Sequence, residues 1–211
     1  MPRLKAIDVI KQLYEYRGFF IDTIFQGITG FPSQATGAGT VTISAGNLSL
    51  LTEGVIDATA FAIQEADPGR HPTTLTWNKR RQLKLAIYLS SVANIEAFVG
   101  MGYYQVACCC GFFIQNSVIK GHIEDGTAVS DTAQIGTAVA LPTVPMVLEV
   151  KWNPVTKKAY FYIDYVYKGS LDADMTDLVG GNEQAAEVFL QTKANASKQL
   201  MTREWLFVQE P

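Results

Sequence analysis

The sequence predicts an all-β protein: two antiparallel sheets packed face to face, preceded by a short N-terminal helical arm. Three observations predict it. From residue 40 onward, apolar and polar residues alternate with period two. About ten such segments follow one another, bounded by turn residues and with almost no helical periodicity between them. The length, 211 residues, suits one large sandwich, which buries enough surface to fold without staples.

The arm comes first. Leu4, Ile7, Ile10, Leu13 and Tyr14 recur at helical spacing, with Lys5, Asp8, Lys11, Gln12 and Glu15 between them and Gly18 as a stop. Residues 1–18 therefore read as an amphipathic arm, and 19–211 as the sandwich. A lone helix of this length is marginal in water, so its apolar stripe must dock on its own domain or on a neighbouring subunit. Residues 29–39, rich in Gly, Ser and Thr, read as a loop.

The strands come next. Thr40 to Ser44 and Leu48 to Leu50 flank a turn at Gly46-Asn47 and read as a hairpin. Further strands are expected over 58–64, 82–89, 95–102, 104–114, 118–124, 145–152, 159–165, 187–193 and 200–208. Turn chemistry separates them at Asp67-Pro68-Gly69, Asn116-Ser117, Glu124-Asp125-Gly126, Asn153-Pro154 and Gly180-Gly181-Asn182.

Composition narrows the function. The net charge is −3, and the densest basic cluster, Lys79-Arg80-Arg81, reads as a solvated turn, which argues against nucleic-acid binding. No apolar run approaches 18 residues and no signal-peptide core follows Met1, so neither membrane insertion nor secretion is expected. Charged residues are 18%, below the usual value of about 25%, as when partners cover some surface. The cysteines stand together at Cys108, Cys109 and Cys110, badly placed for an unstrained disulfide. Only His71 and His122 could complete a zinc site. The cysteines are therefore expected to be small buried residues, with no metal and no cofactor.

Several segments together resemble concanavalin A-like (laminin G-like, jelly-roll) domains. Asn47 to Thr52 resembles that family's early strand, and Phe20-Ile21-Asp22 its opening strand. Leu83 to Ala97, running on through Asn94 to Gly100, is similar to its long core strand. Gly111 to Ile119 resembles the family's "G-F-x-I-x-N-G-x-L". Val147 to Asn153 followed by Ala159 to Asp164 resembles its Trp-containing hairpin, and Leu200 to Val208 its closing strand. The resemblance spans about residues 19–209 and implies a jelly roll. One departure is Tyr165, which stands where the hairpin usually has Gly; a turn moved to Lys168-Gly169 is expected.

Lectins, glycosidases and structural proteins share this fold, so function rests on the site. Retaining glycoside hydrolysis needs two carboxyl groups about 5–5.5 Å apart. Glu149 and Glu96 each stand alone on their strands, and Asp172, Asp174 and Asp177 lie in a loop-like acidic stretch. A non-enzymatic role is therefore expected, with no catalytic residue. One reading is a structural virion protein of a bacteriophage: a capsid decoration, fibre or tail-associated component. It would form a homo-oligomer, with a trimer expected, and would dock on the major capsid or tail protein through Leu4, Ile7, Ile10, Leu13 and Tyr14. Its motives are the jelly-roll resemblance, the arm, and the missing secretion signal and acid pair. The alternative is a lectin-like module binding glycans through Tyr103, Tyr104, Tyr165 and Tyr167, since exposed aromatic rings stack on sugars. A glycoside hydrolase is the least favoured reading.

Overall fold

The computed structural model describes residues 19–22, 33–36, 39–44, 47–65, 76–104, 108–175 and 184–209. The predicted arm, with Leu4, Ile7, Ile10, Leu13 and Tyr14, lies outside the described residues, as do His71 and Asp177.

The described residues form sixteen strands. They are β1 (Phe19–Asp22), β2 (Ser33–Thr36), β3 (Thr40–Ser44), β4 (Asn47–Leu51), β5 (Thr59–Glu65), β6 (Arg81–Leu89), β7 (Ile95–Gly102) and β8 (Cys108–Gln115). Then follow β9 (Val118–Asp125), β10 (Val129–Asp131), β11 (Gly136–Thr137), β12 (Met146–Asn153), β13 (Lys158–Ile163), β14 (Val166–Asp172), β15 (Gln184–Thr192) and β16 (Gln199–Gln209). One sheet runs β14-β13-β12-β6-β16-β4-β3, with β1 on the far half of β16; the other runs β10-β9-β8-β7-β15-β5-β2, with β11 on β9. The result is the two-sheet sandwich that the alternation implies, in the jelly-roll form that the resemblance implies.

Alternation decides what fills the space between the sheets, because successive side chains point to opposite faces. Leu83, Leu85, Ile87 and Leu89 of β6 point inward with Leu148, Val150 and Trp152 of β12 and Phe161 of β13. Ile95, Ala97, Val99 and Met101 of β7 meet them with Phe112 and Ile114 of β8 and Val188 and Leu190 of β15. Each large side chain buried this way contributes about 1.5–3 kcal/mol. Trp152 donates its indole N–H to the Trp77 carbonyl at 2.7 Å and meets the Trp77 ring edge-on. Phe161 packs edge-on against Phe112 across the layers. It fits because Gly121 lies beneath its ring, where a Cβ would come within 2.6 Å.

Four expectations are corrected. Part of the predicted 29–39 loop is strand β2, which pairs with β5; its Ser-Gln-Ala-Thr run carries no apolar alternation to reveal it. The β13–β14 turn does not move to Lys168-Gly169. It is a two-residue turn, Asp164-Tyr165, with both residues at positive φ (49° and 66°). Phe161 faces Gly169 and Tyr162 faces Tyr167, so the extra residue is absorbed as a bulge at Lys168. The strand expected to start at Tyr104 starts at Cys108. Arg81, expected in a solvated turn, is 2% exposed and points inward beside Trp77, with its guanidinium 4.3 Å from that ring.

Candidate functional site

The outer face of the first sheet carries a tyrosine patch. Tyr160 and Tyr162 point out from β13, and the register sets Tyr162 beside Tyr167 on one side and Glu149 on the other. Glu149 in turn faces Lys84 on β6. One row thus reads Tyr167, Tyr162, Glu149, Lys84 across four strands. The next carries Tyr160, Lys151 and Gln82. Tyr162 and Tyr167 meet edge-on at 5.6 Å, and Lys151 lies over the Tyr162 ring. Gln82 donates to Glu149 Oε1 at 2.5 Å, and Lys151 Nζ sits 3.1 Å from the same oxygen.

Tyr165 is the unusual member. It sits at the hairpin apex in the left-handed region, which costs a residue with a Cβ about 1–2 kcal/mol. From there its ring reaches Lys84, whose Nζ lies 4.4 Å from the ring centre. Tyr165 is 61% exposed and Tyr167 53% exposed. The patch therefore offers open aromatic surface bordered by an amide and two ammonium groups, with the Glu149 carboxylate buried beneath them. Such rings, apolar in body and polar at the tip, suit contact surfaces.

The other two tyrosines expected to touch glycans are elsewhere. Tyr103 is half-buried and donates its backbone N–H to the Cys108 carbonyl. Tyr104 is buried on the outer face of the second sheet, stacked on Phe98 with centroids 4.6 Å apart, so that face of its ring is unavailable to a sugar. The stack is built from glycines. Gly100 and Gly111 face each other on β7 and β8, and a Cβ on either would strike the Phe98 ring. Phe98 therefore lies over bare backbone, and Tyr104 lies over Phe98, with Phe189 and Phe113 at its sides.

Polar groups ring this stack. The row through the glycines begins at Glu187 on β15 and ends at His122 on β9 and Asp131 on β10. Burial, and to a smaller degree the charge of Glu124, pushes the Glu187 carboxyl up to about 7, although it accepts the Tyr104 N–H at 2.8 Å. Cys109 faces Glu124 directly across β8 and β9, with its sulfur 3.7 Å from Glu124 Oε2. His122, two residues before Glu124 on the same face, brings a ligand atom within 4.8 Å of both. The spacing within any single strand does not reveal this gathering, because its members come from different strands. Cys108 and Cys110 turn the other way, into the core near Arg81; burial raises both thiols. The acidic stretch is engaged by lysines: Asp172 pairs with Lys158 at 3.0 Å and Asp174 with Lys157.

No protein family and no curated protein sequence matches the chain. Solved structures do. The carbohydrate recognition domain of Emp47p superposes with TM-score 0.61 at 9% identity, covering 91% of this chain and 95% of that one. A sialidase superposes with TM-score 0.61 at 8% identity over 90% of this chain. Botulinum neurotoxin type C, whose cell entry depends on two ganglioside molecules, gives TM-score 0.59 at 8% identity over 94% of this chain. This chain spans only 18% of the sialidase and 49% of the neurotoxin chain. At such identities the likeness establishes the fold alone, a two-sheet jelly-roll sandwich.

Proposed function

We propose that the chain is a carbohydrate-binding module and that sugars lie on Tyr165, Tyr167 and Tyr162, with Lys84, Gln82 and Lys151 supplying hydrogen bonds. The observation that carries this reading is Tyr165, an exposed aromatic residue held at φ 66° where the turn itself favours Gly or Asn. Strain kept at an exposed position motivates a functional hypothesis. The fold neighbours support it: Emp47p's domain is a carbohydrate recognition domain, and the neurotoxin interacts with gangliosides. The module binds without turnover in this reading. Glu149, the acid at the centre of the patch, is held by Gln82 and Lys151.

A glycan array followed by titration of the best hit tests this. Tyr165→Ala and Tyr167→Ala should each weaken binding at least about tenfold, the equivalent of 1.4 kcal/mol. An array with no hits at millimolar sensitivity, or hits unaffected by both variants, overturns the reading. Release of reducing ends from the bound glycan would show a hydrolase instead.

A second reading is assembly with protein subunits, as in a component of a virion. It draws on exposed Val139, Leu141 and Val144, grouped beside a cleft of about 250 Å³ lined by Ile87, Leu89, Pro142 and Met146. The native mass tests it: a trimer supports assembly, and a monomer at high concentration opposes it.

A further inference from the structure

We propose that Cys109, His122 and Glu124 bind a divalent cation of the zinc class, and that Asp131 orients the histidine for it. The site is independent of the sugar-binding reading and lies on the opposite sheet. It departs from the expectation that the cysteines only fill space.

The donor set comes from register. Cys109 and Glu124 are cross-strand partners, and His122 shares their face two residues away. Their sulfur, nitrogen and carboxylate oxygen lie within 4.8 Å of one another. Zinc bonds of about 2.0–2.3 Å in tetrahedral geometry put ligand atoms about 3.3–3.8 Å apart. The remaining contraction, about 1 Å, is within reach of side-chain rotation.

The histidine is the independent pointer. His122 is 5% exposed, and its Nδ1 lies 2.7 Å from Asp131 Oδ1. In the neutral ring, a carboxylate at Nδ1 favours the tautomer with the proton on Nδ1 and the lone pair on Nε2. Nε2 is buried and has no hydrogen-bond partner among the described residues. A buried acceptor without a partner is costly, and such exceptions call for an explanation. Carboxylate to Nδ1 with Nε2 turned to a cation is the usual outer-shell arrangement of a zinc-bound histidine.

The surroundings suit a cation. The Glu124 carboxylate lies 3.7 Å from the Cys109 sulfur, and Glu187 faces Gly100 on the neighbouring strand, so two carboxylates stand near the donor set. Coordination forms a sulfur–metal bond and passes the thiol proton to solvent, replacing a buried neutral thiol by a charge-compensated thiolate. Thiolate with imidazole selects zinc-class ions over magnesium or calcium. Three protein donors leave a fourth position for water.

The full chain, stripped with a chelator, should bind one equivalent of Co²⁺ with a thiolate-to-cobalt charge-transfer band, and Zn²⁺ should displace it. Cys109→Ser should abolish the band, whereas Cys108→Ala and Cys110→Ala should keep it. Asp131→Asn should weaken Zn²⁺ binding about 10–100-fold. Zinc-edge X-ray absorption on the unaltered protein should show one sulfur among nitrogen and oxygen neighbours, a reading that stands even where a variant misfolds. No binding, a zinc shell with no sulfur or with more than one, or a band that survives Cys109→Ser overturns the proposal.

Discussion

Replacing Arg81 with methionine asks whether its buried charge is matched. Its Nε donates to the Thr76 carbonyl at 3.0 Å and to Gln209 Oε1 at 3.1 Å, and its plane lies over Trp77. Its other two guanidinium nitrogens are buried with no hydrogen-bond partner among the described residues. Burial pulls its pKa down to about 9. Methionine has similar length and keeps the core filled. The substitution loses charge-assisted hydrogen bonding of about 1.5–3 kcal/mol and a cation–π contact of about 1–2 kcal/mol. It removes two unsatisfied donors, each costing about 1–3 kcal/mol. Gln209 Oε1 keeps its bond from the Thr76 N–H at 2.9 Å, so no buried charge is orphaned. The opposing sums nearly cancel. Arg81→Met should lie within about 1 kcal/mol of the parent or be more stable, a shift of about 2–4 °C per kcal/mol at this chain length. Urea unfolding followed by tryptophan fluorescence reads it. A loss of about 3–5 kcal/mol is the signature of breaking a matched buried pair, and would refute the reasoning.

Other perturbations follow from single contacts. Gly111→Ala puts a Cβ 2.4 Å from Gly100 Cα and 2.9 Å from the Phe98 ring, so it should cost about 1–3 kcal/mol or more and reduce the near-ultraviolet circular dichroism of the Tyr104 stack. Tyr165→Gly should stabilise the hairpin by about 1 kcal/mol while weakening sugar binding at least about tenfold; a loss of stability would show that the turn is unstrained. Trp152→Phe removes the donor to the Trp77 carbonyl and should cost about 1–3 kcal/mol in chemical denaturation. The Glu187 carboxyl is raised from its ordinary 4.5 to about 7, so the stability it contributes is complete below about pH 4.5 and fades as pH rises through 7. With chelator present, the parent should lose up to about 3 kcal/mol relative to Glu187→Gln between pH 5 and pH 8.5; parallel pH profiles would contradict this.

The sandwich was legible because its strands alternate cleanly. The predicted bounds of β7, residues 95–102, coincide with the observed strand, and Leu148, Val150 and Trp152 point inward as their spacing requires. Strands without apolar alternation, such as β2, left no such trace. The tyrosine patch was half legible. Tyr160 and Tyr162 share a face by period two, but Tyr165 reaches that face only because the turn takes two left-handed residues. Tyr104 misled because its burial depends on Gly100 and Gly111, glycines of neighbouring strands whose meeting only the register reveals. The Cys109, His122 and Glu124 cluster has a trace in the sequence. The Asn116-Ser117 turn pairs Gln115 with Val118, and counting outward from it sets Cys109 opposite Glu124.

The bulge at Lys168 has a bearing on how copies of this chain meet. Among the described residues β14 ends its sheet, with a row of backbone groups that another chain could use as a template. The misstep between Phe161 and Tyr162 breaks that row midway, and Lys168 places a charge where the break falls. A second copy laying down a strand here would lose register after a few residues. A bulge and a lysine of this kind blunt an edge against repeated strand pairing, which favours contacts through side chains at the margin nearest the tyrosines.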